Sequence, residues 1–170
     1  MPTYRWRKLI ILRGLPGTRK TDKANELIGP DGRGVIVSAF DYFRTGSNGE
    51  IVFNRRDLWR AHREALRKAE AAMRRGDHPI IICNINTELW MMYPYVFMGF
   101  RDFEYFIEFI DMEHPPIHEL YWRCEGKVPF WLLRKWLRNY DHVHRGLRGI
   151  FKILNDETSI TWWSGRDWFA

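Results

Sequence analysis

The most restrictive stretch of the 170-residue chain is LIILRGLPGTRKT, Leu9 to Thr21. Four consecutive aliphatic residues, Leu9-Ile10-Ile11-Leu12, suit a short buried strand, and Arg13 closes them far short of a secretory core or a membrane span. Gly14 breaks the run and Gly17 follows. From Lys20 to Ile28 the composition favours helix, until Gly29-Pro30 ends it. Gly14 to Thr21 matches a phosphate-binding loop at its first glycine, its lysine and its threonine. Such a loop aims backbone N–H groups at phosphate oxygens, its lysine reaches the outer phosphates, and its hydroxyl ligates the metal. One position departs. Arg19 stands where a second glycine should precede Lys20.

That position requires a conformation glycine adopts freely. An arginine there carries a left-handed backbone at a cost on the order of 1–2 kcal/mol, which a folded domain absorbs. The side chain also stands where backbone should approach phosphate, although its guanidinium offers further positive charge. Asp22 beside Thr21 suits the helix dipole and repels a polyphosphate. Taken alone, the match describes an ordinary strand-to-helix turn as well as a working loop.

The rest of the chain continues the alternation. Gly34–Ser38 reads as a second strand and 41–53 as a polar loop with a small hairpin. Asp57–Arg75 is the best helix, with Leu58, Ala61, Ala65, Leu66, Ala69, Ala72 and Met73 on one face, an Asn54 start and Gly76 past its end. Ile80–Asn84 is a third strand, Thr87 caps a helix running to about Gly99, and Glu104–Ile110 is a fourth strand, apolar enough to be buried on both faces. His118–Cys124 and Pro129–Tyr140 read as helices, and the pattern fades after Gly146. Strands alternating with helices predict an α/β domain with a mostly parallel sheet. Ligands of such sheets sit beyond the carboxyl ends of the strands, which puts residues 13–21, 39–43 and 84–87 on one rim.

Charge narrows the partners. The net charge is +6, concentrated in three stretches: seven Lys/Arg against one acid over 4–23, eight against three over 55–75, and eight against two over 121–152. Such surfaces suit phosphates or nucleic acid, although +6 also serves solubility alone. Two distant cysteines, Cys83 and Cys124, fit no metal spacing and point to an intracellular protein, cytoplasmic or nuclear, that contacts no membrane.

LIILRGLPGTRKT, VIVSAFDYF, AHREALRKAEAAMRRGDHPIIICNINTELWMMYPYV and ELYWRCEGKV occur in this order. Together they resemble the polynucleotide-kinase-like P-loop proteins, in the branch called Nedd-four-binding protein two-like, over roughly Lys8 to Tyr140. The resemblance implies a P-loop kinase-like three-layer sandwich with a mostly parallel sheet and a basic helical lid. It implies a kinase-like domain over 1–150; the aromatic-rich tail over 151–170 lies outside the resemblance and is expected to pack on that domain. Active members of the wider group move the γ-phosphoryl of ATP to a 5′-hydroxyl of nucleic acid. By resemblance, Gly14, Gly17, Lys20 and Thr21 would hold ATP, Thr21 would ligate Mg2+, and Arg123 and Lys127 would close the lid; Arg19, the departure from the motif, would add its own charge to the ATP site. The branch name implies a ubiquitin-ligase partner. However, Pro115-Pro116-Ile117-His118 lacks the tyrosine of the usual Pro-Pro-x-Tyr ligand.

The departures fall on the chemistry. Two acids usually precede the tyrosine of the second motif, the first acting as general base. Here they are Phe40 and Asp41, and on an extended segment Asp41 would point the wrong way. The third motif usually opens with aspartate, where Cys83 stands. In the lid, Cys124 replaces a common asparagine. The resulting expectation is a pseudo-kinase that retains nucleotide or nucleic acid phosphate binding, with Lys20 and weakly Asp41 as its catalytic residues. An active 5′-hydroxyl kinase and an interaction module without nucleotide are the alternatives.

Two further patterns bear on function. The six histidines show no zinc-like spacing, and His142 and His144 would point apart. Trp131, Trp136, Tyr140, Trp162, Trp163 and Trp168 interleave with Arg134, Lys135, Arg138, Arg145 and Arg148. That pattern suits base stacking, but the Trp/Leu spacing at 131–137 favours helix packing.

Overall fold

The computed structural model describes residues 6–30, 32–45, 50–51 and 54–164. Four parallel strands form the sheet in the order β2-β5-β1-β6: β1 (Lys8–Arg13), β2 (Val35–Val37), β5 (Ile80–Cys83) and β6 (Phe106–Asp111). Two short strands, β3 (Arg44–Thr45) and β4 (Glu50–Ile51), make a separate antiparallel hairpin. β1 is central, with Leu9 opposite Ile80 on one side and Ile107 on the other. Its aliphatic residues are therefore buried on both faces, as the unbroken run requires.

Helices cover the sheet unequally. One face carries the main core, where Leu9, Ile11, Ile80, Ile82 and Ile107 meet α2 (Leu58–Arg75) and α3 (Leu89–Phe97). The apolar stripe of α2 is buried from Ala61 to Met73 as its spacing predicts, whereas Leu58 at its start is exposed, and Gly76 ends the helix in the left-handed conformation. The opposite face is smaller: Ile10, Leu12, Ile81 and Cys83 pack on α1 (Lys20–Ile28) through Ala24, Leu27 and Ile28. A third cluster joins Leu15 of the loop to Leu120 and Leu133, on α4 (Ile117–Arg123) and α5 (Phe130–Arg138). The fold is thus the expected α/β sandwich, with a helical lid seated on the loop.

Several expectations are corrected. β6 is an edge strand rather than one buried on both faces. Its exposure alternates, and Phe106 is half exposed. Residues 39–43 form a 3-10 turn instead of an open loop, capped by Ser38, whose hydroxyl accepts from Phe40 N. Thr87 does not cap α3. The helix starts at Leu89, whose N–H is met by the Asp141 carboxylate at 2.9 Å, from far along the chain. Past Gly146, where the pattern fades, two helices follow: α6 (Leu147–Leu154) and α7 (Glu157–Ser164). Both pack on α3, with Trp163 Nε1 donating to Trp90 O at 2.8 Å. Trp168 lies outside the described residues.

Candidate functional site

The loop leaves β1 through Gly14, whose N–H donates to Ile85 O at 2.9 Å. A Cβ on Gly14 would meet Thr18 Oγ1 at 2.8 Å and Met112 Cβ at 3.0 Å, so the turn closes only around glycine. Thr18 Oγ1 donates to Leu15 O at 2.7 Å and holds the bend, while Gly17 takes φ +88°. Arg19 then takes φ 63°, ψ 36°, the left-handed region that a glycine would occupy without strain. It stands in the capping position of α1 without a side-chain capping bond, and its side chain is exposed.

Lys20 lies inside the loop. Its Nζ donates to Gly14 O at 2.8 Å and Leu15 O at 3.1 Å. Burial lowers its pKa to about 8, and the Cys83 and Cys124 thiols, as thiolates, act weakly in the other direction. Thr21 follows at the start of α1, beside the Cys83 thiol. Cys83, at the carboxyl end of β5, is nearly buried. Burial raises its pKa, with Lys20 and Thr21 opposing and the Asp41 charge adding to the rise. The thiol is therefore protonated at neutral pH, where a carboxylate would be ionised.

The second motif corrects the argument about direction. Because residues 39–43 wind as a 3-10 turn, Asp41 does not point opposite to Phe40 as it would on a strand. It lies close enough to Cys83 for its charge to be felt there, and it pairs with Arg44 at 3.5 Å and Lys68 at 3.7 Å. Phe40 is exposed. Asn84 Oδ1 accepts from Ala39 N at 2.9 Å, and Asn86 Nδ2 donates to Leu12 O at 2.7 Å. The two asparagines brace three strand ends against one another.

The lid reaches the loop directly. Arg123 Nη1 donates to Gly17 O at 3.0 Å, and its Nη2 pairs with Glu119 at 2.6 Å. Cys124 lies near enough to Lys20 for the two to interact, and burial raises its pKa. Gly14, Gly17, Arg19, Lys20, Thr21 and Arg123 are therefore together, with Asp41 beside them. Lys127 is turned to solvent and paired with Glu125 at 3.2 Å.

Sequence reasoning passed over two residues that shape this site. Arg13 is 1% exposed and donates to Asn86 O, Thr87 O, Asp141 O and the Asp111 carboxylate. The signal was present, since an arginine ending a buried strand directly before the loop needs partners. His114 Nε2 accepts from Leu15 N at 3.1 Å and its ring packs edge-on against Tyr140 at 5.3 Å. Burial, then the Lys20 charge, lowers its pKa, against a bond to the Met112 backbone and the Asp111 charge. No sequence pattern marks it. His142 and His144 do not point apart; their rings meet at 4.6 Å.

No family model matches the chain. Human NEDD4-binding protein 2 is 41% identical over 88 residues, which are 52% of this chain and 5% of that protein. The fold resembles a chain from the Pnkp1/Rnl/Hen1 RNA repair complex, with a TM-score of 0.60 and 21% identity, covering 82% of this chain and 45% of that one. A chain from a second Pnkp1/Rnl/Hen1 complex gives 0.53 and 25%, covering 72% and 40%. In fold the chain is similar to the polynucleotide-kinase-like P-loop proteins, and in sequence to NEDD4-binding protein 2, over 52% of this chain and 5% of that protein.

Proposed function

We propose that this chain binds a nucleoside triphosphate in the Gly14–Thr21 loop and carries out phosphoryl transfer weakly or not at all. The observation that carries this reading is the backbone at Arg19. It keeps the left-handed geometry of the missing glycine, and the side chain is exposed rather than packed into the loop. The backbone N–H groups and Lys20 therefore remain suited to a polyphosphate. The solved neighbours come from RNA repair complexes, which supports a nucleic acid or protein partner.

A magnesium ion held by the protein fits less well. It takes oxygen ligands, and beside the Thr21 hydroxyl stands a protonated thiol instead of a carboxylate. Among the described residues, no group of three His, Cys, Asp or Glu side chains is gathered to hold a metal. Mg2+ enters this reading only with the nucleotide, at Thr21. When bound, ATP would supply the phosphoryl group. The chain would orient it with Lys20 and with Arg123 from the lid. Phosphoryl transfer rests mainly on positioning and charge, but loss of a general base removes about 10²–10⁴ in rate.

Titration calorimetry of ATP, with and without Mg2+, tests the reading. Wild type should bind, Arg19→Gly should bind at least as well, and Lys20→Ala should not bind. Unchanged affinity in Lys20→Ala would remove the loop from the account.

The position of Asp41 favours a second reading, an active 5′-hydroxyl kinase using Asp41 as base. Transfer of labelled phosphate from ATP to a 5′-hydroxyl oligonucleotide, lost in Asp41→Asn, would support it. No transfer at high enzyme concentration would count against it.

A further inference from the structure

The outer face of the lid carries unshielded aromatic rings among cations. On α5, Leu133 packs inward with Trp136 half-buried, which turns Phe130, Trp131, Arg134, Lys135 and Arg138 outward. Trp131 is 62% exposed, and Arg134 and Lys135 follow it at the three- and four-residue spacing that makes helix neighbours. Phe130, itself exposed, meets Tyr121 of α4 edge-on at 5.8 Å, so the ring surface continues from one lid helix to the other. Trp122 beside it is 78% exposed. Helix packing was the expected use of the tryptophans at 131–137. It holds for Trp136 and fails for Trp131.

Leaving such rings in water costs hydrophobic stabilisation, and their neighbours indicate what covers them. From 121 to 138 there are five Lys/Arg and one acid, Glu125, which is paired with Lys127. Arg134, Lys135 and Arg138 have no acid on their own helix. Flat rings interleaved with unneutralised cations complement bases interleaved with phosphates, and stacking does not require sequence readout. An apolar or acidic protein surface would match only one half of this pattern.

We infer that the outward face of α4 and α5, centred on Trp131 and the Tyr121–Phe130 pair, binds single-stranded nucleic acid by base stacking, with Arg134, Lys135 and Arg138 on the phosphates. The inference deepens the function proposed above and rests on it for the class of acceptor. The surface itself rests on exposure and charge. It lies on the lid helices that cover the loop, so a strand stacked there lies beside the phosphate site and outside it.

The test is fluorescence anisotropy with a labelled 5′-hydroxyl oligo(U) and, separately, calorimetry with ATP, on the full chain. Wild type should bind the strand, with affinity falling steeply as salt rises. Trp131→Ala should weaken the strand about tenfold or more and leave ATP affinity unchanged. Arg134→Gln with Arg138→Gln should flatten the salt dependence. Lys20→Ala should lose ATP and keep the strand, which separates failure of this inference from failure of the nucleotide reading. Strand affinity unchanged in Trp131→Ala, or preference for an acidic peptide over the strand, would overturn the stacking surface. Thermal melts verify that the variants are folded, which the exposure of Trp131, Arg134 and Arg138 favours.

Discussion

Two arginines bracket the loop and are held in opposite ways. Arg13, one residue before Gly14, is buried and donates to four acceptors on three separate segments, with the Tyr140 ring stacked 4.7 Å from its guanidinium carbon. Arg19, five residues after Gly14, is exposed, has no capping bond, and sits in a conformation unfavourable to any side chain. The sheet end of the loop is fixed by side-chain chemistry, and the helix end by backbone geometry alone. Arg13 also reaches the segment after α5, through Asp141 O and through Tyr140, whose hydroxyl donates to Asp111 at 2.8 Å. One buried cation therefore ties loop, sheet edge and lid together. Among the described residues the Arg19 side chain makes no hydrogen bond or ion pair, and changing it should leave the rest of the fold unaffected.

The sharpest way to break the contrast is to remove Arg13. Arg13→Met keeps much of the volume but leaves three backbone carbonyls and the Asp111 carboxylate without their donor. The expected loss is about 3–5 kcal/mol in chemical denaturation. Part of Asp111 faces water, so the carbonyls account for most of this. A loss below about 1 kcal/mol, the range of surface substitutions, would make Arg13 no more important than Arg19.

Lys20, between the two, should show an intermediate effect through pH. Its folded pKa of about 8 lies below the ordinary 10.5. From pH 8 to 10.5 the unfolded chain therefore holds a proton that the folded loop has released, and stability rises with pH across that window. The cost of burying the charge is fully present below pH 8 and is relieved by pH 10.5. Subtracting Lys20→Met from wild type isolates this from the tyrosines that titrate higher. The difference should move in favour of wild type by on the order of 3 kcal/mol. A flat difference would mean that the amine is not desolvated, and that the loop is more open at its centre than its carbonyl contacts imply.

What could be read from sequence follows the same division. The layered α/β fold, the central strand and the α2 stripe depend on periodicities within short windows, and each is found close to its expected position. The left-handed turn at Arg19 was legible because a motif fixes the backbone there. Long-range partners were not legible. Arg13 meets residues 73 to 128 positions away, His114 meets Leu15 across 99, and Asp141 caps α3 across 52. The direction of Asp41 was misjudged for a local reason. An extended segment and a 3-10 turn place successive side chains differently, and AFDYF does not distinguish them. Trp131 was assigned to packing because Trp131, Leu132, Trp136 and Leu137 share an apolar spacing. Of that set, Trp136 packs inward on the cluster of Leu15, Leu120 and Leu133, and Trp131 and Leu137 are exposed.

The smallest expected effect sharpens the comparison most cleanly. Arg19→Gly should stabilise the chain by about 1 kcal/mol: relief of the left-handed strain on the order of 1–2 kcal/mol, less the greater chain entropy glycine loses on folding. Arg19→Ala keeps the strain and removes the charge, so its stability should stay close to wild type. The pair separates backbone from side chain, which neither variant does alone. If glycine and alanine prove equally stable, the helix end of the loop is not strained, and the guanidinium must be held by a contact of its own. The contrast with Arg13 would then be one of degree. If glycine alone gains and ATP affinity does not change, the chain carries Arg19 at a cost that nucleotide binding does not explain. The exposed guanidinium would then serve a partner other than the nucleotide.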